Sequence, residues 1–165
     1  MKKTQVKTDE IKLMGLKIRT NNQKEFNPET AQIESCVMRY FTEGWNNKIP
    51  HLKNPNTTRC AYTEYESDDK GDYTFFVGAE VSAVDRIPEG LDFLAIPAQT
   101  YIKFTTESGP MPDVVIEAWQ KIWKMSPDEL GGTRSFKADF EVYDERAQSR
   151  QNTILDIYIG VNAEI

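Results

Sequence analysis

Arg134-Ser135-Phe136-Lys137-Ala138-Asp139-Phe140-Glu141-Val142-Tyr143 and, after a polar interval, Thr153-Ile154-Leu155-Asp156-Ile157-Tyr158-Ile159-Gly160-Val161 are the stretches whose reading decides the fold. In the first, Phe136, Ala138, Phe140 and Val142 recur at every second position; in the second, Leu155, Ile157, Ile159 and Val161 do the same. A period of two puts each set on one face of a half-buried strand, and the polar link makes the pair a hairpin. Upstream, residues 94–106 alternate as well, with Ala98, Thr100, Ile102 and Phe104 on one face. Between them Pro110 and Pro112 precede a helix over residues 113–125, and Gly131-Gly132 marks the break after it. This half reads β-α-β-β.

The first half runs in the same order. Residues 11–20 alternate, with Met14, Leu16 and Ile18 on one face, and residues 29–44 carry Ile33, Val37, Tyr40 and Phe41 at helical spacing before Gly44. A loop with Pro50 and Pro55 leads to strands over 59–66 and 73–82, joined by the turn Ser67-Asp68-Asp69-Lys70-Gly71-Asp72. Val37, Phe41 and Gly78 fall 82 residues before Trp119, Trp123 and Gly160, and Tyr62 and Tyr65 fall 78 before Phe140 and Tyr143. The expectation is an α+β fold of two β-α-β-β repeats in pseudo-two-fold arrangement, an antiparallel sheet with a ligand groove between the repeats. It covers 1–165 as one domain, repeat one about 11–82 and repeat two about 94–161. A ferredoxin-like two-layer domain, with the repeat serving only to cover a sheet, stays open beside it.

Composition narrows the function. With 20 Lys+Arg against 26 Asp+Glu the net charge is -6, which opposes a direct nucleic-acid partner, since such binding draws on clustered cations. Met1-Lys2-Lys3 runs into polar residues rather than an apolar signal core, and no stretch approaches a membrane span, so the expectation is a cytoplasmic protein without a membrane partner. Cys36 and Cys60 lack metal spacing and read as buried free thiols, and the single histidine, His51, reads as a surface residue in a proline loop. No glycine-rich phosphate loop is present, no cofactor is called for, and the acidic turn around Asp68 and Asp72 fits no calcium loop.

Ile33 to Phe41, Ile96-Pro97-Ala98 before Tyr101, Trp119-Gln120-Lys121-Ile122-Trp123, Asp139-Phe140-Glu141-Val142-Tyr143-Asp144 and Asp156-Ile157-Tyr158-Ile159-Gly160, in this order, make the chain resemble the GyrI-like, AraC-type effector-binding domain family of bacteria. The resemblance spans nearly the whole chain. It implies a domain that binds amphipathic, frequently cationic small molecules through an acidic residue among aromatics. Family members are often fused to a helix-turn-helix regulator; with the first strand expected at residue 11, a free-standing module is expected here. The ligand-contacting glutamate of the family maps onto Glu141. Val37 stands where the family usually places an aromatic, a departure in the wall of the pocket.

Read from physics alone, Glu141 lies mid-strand and is either an ordinary solvent-facing residue or a partly buried carboxylate. If buried, it loses hydration and gains from a cation. Tyr65 and Tyr143 take equivalent positions in the two hairpins on its face, and Tyr101 sits on the face opposite Ile102 and Phe104. Trp119 and Trp123, at i and i+4, are placed to line the groove from the helix. Plain core packing is the competing reading, favoured for Trp123 and evenly balanced for Trp119. Alternation leaves open on which side of the sheet a pocket opens. The expected function is non-catalytic binding of small amphipathic cations as a sensor or sequestering module linked to transcription regulation, with Glu141, Tyr65, Tyr101, Trp119, Trp123 and Tyr143 as ligand residues. Beside it stand a small hydrolase of electrophilic compounds using Glu141 as base or nucleophile, and a protein-partner or homodimer role.

Overall fold

Two short interruptions, Asp9-Glu10 and Pro97-Ala98, set the architecture. The computed structural model describes residues 1–162. Its strands are β1 (Lys2–Thr8), β2 (Ile11–Thr20), β3 (Thr58–Thr63), β4 (Tyr73–Glu80), β5 (Asp92–Ile96), β6 (Gln99–Thr105), β7 (Ala138–Tyr143) and β8 (Asp156–Val161). The helices are α1 (Asn22–Glu25), α2 (Ile33–Thr42), α3 (Asp113–Trp123) and α4 (Pro127–Leu130). The fold is α+β, an antiparallel sheet of eight strands in the order β1-β6-β8-β7-β3-β4-β2-β5. Exchanging β1 with β5, β2 with β6, β3 with β7 and β4 with β8 turns that order into its own reverse, which is the expected pseudo-two-fold relation.

Each repeat gains a strand over the β-α-β-β reading. Lys2–Thr8 carries one clearly apolar residue, Val6, and shows no alternation to detect, yet it pairs along its whole length with β6, from Lys2 opposite Thr105 to Thr8 opposite Gln99. Its lysines suit an edge strand, where charge guards unpaired backbone groups. The expected single strand over 94–106 is two strands. Pro97 lacks the N–H a ladder needs, and the chain changes neighbours there: β5 pairs with β2, and β6 pairs with β1 and β8. Its faces swap as well, because Leu94 and Ile96 pack with one cluster while Ile102 and Phe104 pack with another. Ala98 therefore does not share a face with Ile102 and Phe104.

The two interruptions lie side by side, since Thr8 pairs with Gln99 and Ile11 with Ile96. β1–β2 and β5–β6 thus run antiparallel as two kinked strands. β2 also pairs with β4 and β6 with β8, so the pairings continue through β8, β7, β3 and β4 back to β2, in a ring. One face of that ring turns inward. Ile11, Leu13, Ala61, Phe76, Ile96, Tyr101, Ala138, Phe140 and Val142 bury one another there as one cluster. On the outer face, Cys36 and Tyr40 of α2 cover a cluster with Met14, Phe75 and Val77, while Ala118, Trp119 and Ile122 of α3 cover Ile102, Phe104, Ile157 and Ile159. Both cysteines are free and buried.

Local chemistry explains where the elements begin. α2 starts at Ile33 rather than 29 because the Glu25 carboxylate accepts the N–H groups of Gln32 and Ile33, which a helix start leaves without intrahelical partners. β7 starts at Ala138 rather than 134. Phe136 has φ 53, which no strand residue adopts, and its ring packs against Tyr65 and under Arg134 instead of sharing a face with Phe140. Ser126 and Glu129 form a capping box on α4, and Gly131 ends it at φ 100.

Gly15 and Gly78 face each other where β2 crosses β4. A Cβ on Gly15 would run into the Val77 carbonyl oxygen, and one on Gly78 into that of Met14, both backbone atoms that cannot turn aside. Gly15→Ala is therefore expected to destabilise by about 1–3 kcal/mol, as overpacking does, read as a lower urea midpoint. An unchanged midpoint would mean that the two strands separate at no cost.

Candidate functional site

β3 and β7, one strand from each repeat, form the central pair, with Cys60 opposite Glu141 and Tyr62 opposite Asp139. On the outer face of this pair the sheet presents Cys60 and Tyr62 from one half and Asp139, Glu141 and Tyr143 from the other. Glu141 is 2% exposed. Its Oε2 accepts from the Tyr62 hydroxyl at 2.8 Å and from Trp119 Nε1 at 2.7 Å, and its Oε1 accepts from the Tyr143 hydroxyl at 2.7 Å. Three donors from three elements thus converge on one carboxylate, at the seam of the two repeats.

Electrostatics follow from burial. Loss of hydration pushes the Glu141 carboxyl above its ordinary value, and the three hydrogen bonds from Tyr143, Trp119 and Tyr62 pull in the opposite direction without offsetting it. Burial, followed by the adjacent Glu141 charge, pushes the Tyr62 and Tyr143 phenols far up, so both remain donors. A carboxylate offers about four acceptor positions. Three are taken here, which leaves one for a further donor or for a cation.

A second buried carboxylate stands two residues away. Asp139 is fully buried and pairs with Arg134 Nη2 at 2.7 Å, while accepting from the Tyr65 hydroxyl and, at 2.8 Å, from the backbone N–H of Gly160. Tyr65 therefore belongs to the Asp139 network and makes no bond to Glu141. It lies past the end of β3, after Glu64 at φ 51, and is not the structural counterpart of Tyr143.

Of the other residues singled out in the sequence, Tyr143 and Trp119 meet at Glu141. Trp123 stands beside Trp119 with ring centroids 6.1 Å apart and meets Phe26 edge-on at 5.9 Å, so it touches the outer rim. Tyr101 is elsewhere. It lies on the inner face, 5.2 Å from the Phe140 ring, with its hydroxyl bonded to Gln99 Nε2. The change of face at Pro97 carries it there. His51 pairs with Asp85 at 2.7 Å on the surface.

Tyr62 is the site residue that sequence reasoning missed. The offset of 78 set it against Phe140, an inward residue. The registers correct this: Arg59 pairs with Gly78, and the β7–β8 ladder puts Ala138 at the level of Gly160, so the offset between these strands is 79. Tyr62 is then the counterpart of Glu141 itself. Alternation over residues 58–63, with Cys60 and Tyr62 on one side of Ala61, was the available signal.

Comparison with known proteins agrees with this fold. The family model described as "Integron-associated effector binding protein" (Cass2) matches residues 5–161. YobU of Bacillus subtilis, which carries the name of a transcriptional regulator, is 29% identical over 147 residues, 89% of either chain. Among solved structures, an integron cassette protein from the mobile metagenome of Vibrio cholerae superposes with a TM-score of 0.77 at 24% identity, covering 97% of this chain and 95% of the other. A protein described as SAV2435 bound to tetraphenylphosphonium gives 0.77 at 17% identity, covering 99% of this chain and 95% of the other. These likenesses below 25% identity speak to the fold. The family's description shares the effector-binding part of the expectation, with integron association in place of the GyrI-like and AraC-type names.

Proposed function

Because the chain belongs to the family of integron-associated effector-binding proteins, we propose that it binds small amphipathic cations without chemistry of its own, as a sensor or sequestering module linked to transcription regulation. The observation that carries this reading is the sealed carboxylate: Glu141, 2% exposed, held by Tyr62, Tyr143 and Trp119. An anion in that position favours a cation that can shed its own hydration, which is what an amphipathic cation does readily. The surrounding rings add about 0.5–2 kcal/mol each where they face the charge. A neighbour in fold is described as bound to a bulky apolar cation, and a relative carries a regulator's name, which supports both halves of the reading. Binding requires the cover over Glu141 to part, with the Trp119 indole the side chain that both donates to it and packs on Tyr62, ring centroids 5.3 Å apart.

Tetraphenylphosphonium and tetraphenylborate test the charge directly, because they share size and shape and differ in sign. Calorimetric titration is expected to show binding of the cation and none of the anion; equal affinities would overturn selection by Glu141. The pH dependence has a definite sign. With the folded-state carboxyl raised above its ordinary 4.5, the neutral form persists above that value, and a cation binds the ionised form. Affinity for tetraphenylphosphonium therefore rises with pH from 4.5 up to the raised value and is flat beyond it. A dissociation constant independent of pH across that window would remove the charge from Glu141.

A further inference from the structure

We propose a second binding site at the inner mouth of the ring, beside the Asp9-Glu10 kink, for a small planar zwitterion the size of an aromatic amino acid. It lies on the face opposite Glu141. A cavity of about 260 Å3 opens there. Its aromatic wall is Tyr158, half-buried, which stacks on the buried Phe140 ring with centroids 4.4 Å apart and planes 15° from parallel. The Arg59 guanidinium stands 5.3 Å over the Phe140 ring and helps to cover it.

Charge is arranged in two zones. Lys53 Nζ and Arg59 Nη2 share one anion, Glu80, at 3.7 and 3.6 Å, so with two cations to one carboxylate this side of the mouth keeps a net positive charge. At the rim, Asp9 and Glu10 are exposed and negative. Of the three buried side-chain atoms without a hydrogen-bond partner among the described residues, two, Arg59 Nε and Thr8 Oγ1, belong to residues lining this one cavity, and the third, Arg134 Nε, lies in the Asp139 network. Buried polar atoms left this way destabilise a protein, so two at one mouth point to a use. A carboxylate directed at Lys53 and Arg59, a ring against Tyr158 and an ammonium toward Asp9 and Glu10 satisfy the aromatic wall and both charge zones.

The fold does not demand these charges. Under the pseudo-two-fold registers, Arg59 and Glu80 fall on Ala138 and Asn162, and Asp9 and Glu10 on Ala95 and Ile96, which carry no charge. At that sister mouth Gln99 fills the space instead, donating to the Tyr101 hydroxyl at 2.7 Å and the Ala138 carbonyl at 3.2 Å and accepting from Ser135. One mouth is plugged by the chain itself, and the other is open and charged.

Nuclear magnetic resonance on the full chain separates the two sites, since the Arg59 Nε–H signal reports the inner mouth and the Trp119 indole N–H reports the Glu141 pocket. L-tryptophan is the probe, with indole-3-acetate lacking its ammonium and tryptamine lacking its carboxylate. L-tryptophan is expected to shift Arg59 Nε–H and the Thr8 and Tyr158 amides saturably, with a dissociation constant below about 1 mM, and indole-3-acetate to bind about 3- to 10-fold more weakly. Tryptamine is expected to leave Arg59 Nε–H in place. Lys53→Ala, at a side chain 57% exposed and so safe for folding, should weaken L-tryptophan about 3- to 5-fold, while Glu141→Gln should leave it unchanged. The site is refuted if Arg59 Nε–H shows no saturable shift up to about 10 mM, or if Lys53→Ala binds as tightly as the parent. It is equally refuted if the shift disappears in Glu141→Gln, which would trace it to the outer pocket.

Discussion

Glu141→Gln is expected to weaken tetraphenylphosphonium binding about 5- to 150-fold and to leave the melting temperature of the empty protein within a few degrees of the parent's. The affinity loss is the difference between a charge-assisted contact and a neutral one, about 1–3 kcal/mol, in a site where little water screens the charge. Stability survives because glutamine can repeat most of the hydrogen bonding. Its carbonyl can accept from Tyr62 and Trp119, as Oε2 does now, and its amide can donate to Tyr143, whose hydroxyl turns from donor to acceptor. The substitution also removes the cost of holding a buried charge, which has a signature in pH. A carboxyl whose folded-state value is raised binds more protons folded than unfolded, so the parent loses stability as pH rises from 4.5 toward the raised value. The glutamine variant lacks that loss, and the difference between the two melting curves against pH isolates it. Unchanged affinity together with a drop of many degrees would make Glu141 a structural residue and defeat the proposed function.

Asp139→Ala is the larger change in stability, expected to cost about 3–5 kcal/mol, read as a shift of the urea midpoint. Three groups depend on this fully buried carboxylate. Arg134, 13% exposed, is left as a buried charge without its partner, and the Tyr65 hydroxyl and the Gly160 N–H are left without an acceptor. The loss comes chiefly from those orphaned groups rather than from the worth of the pair, so a double variant distinguishes the two. Arg134→Met with Asp139→Leu removes both charges and should recover much of the stability. A single-variant loss under about 1 kcal/mol would mean that water reaches Arg134 and that the pair is not closed.

These two carboxylates, two residues apart on one strand, show what each level of description decides. Alternation in residues 138–142 and 157–161 identified the hairpin, and helical spacing identified the helix before it, because side chains in strands and helices have fixed periods whatever surrounds them, while Phe136 fell outside the strand. The doubling of the pattern at 82 residues likewise foretold a sheet order that reads the same from both ends. Lys2–Thr8 could not be seen, because an edge strand takes its stability from a partner 91 to 103 residues away and its own side chains carry no periodic signal. The position of Tyr62 failed for a related reason: a repeat offset wrong by one residue reverses the face of every side chain, and only the ladder of hydrogen bonds fixes that register.

By itself, then, the sequence determined the α+β class, the twofold plan and most of the element order, and through the resemblance it singled out Glu141 as a candidate, since these depend on local period and on the family the motifs resemble; the edge strand Lys2–Thr8 and the break at Pro97 lay outside that reach. The tertiary structure alone decided the rest. Pro97 and Asp9-Glu10 break two long strands at the same level, so the sheet returns on itself, Tyr101 is carried inside and Tyr62, Tyr143 and Trp119 are brought onto one carboxylate outside. The physical reason is that hydrogen-bond partners and buried faces are properties of pairs of segments far apart in the chain, which no single segment encodes.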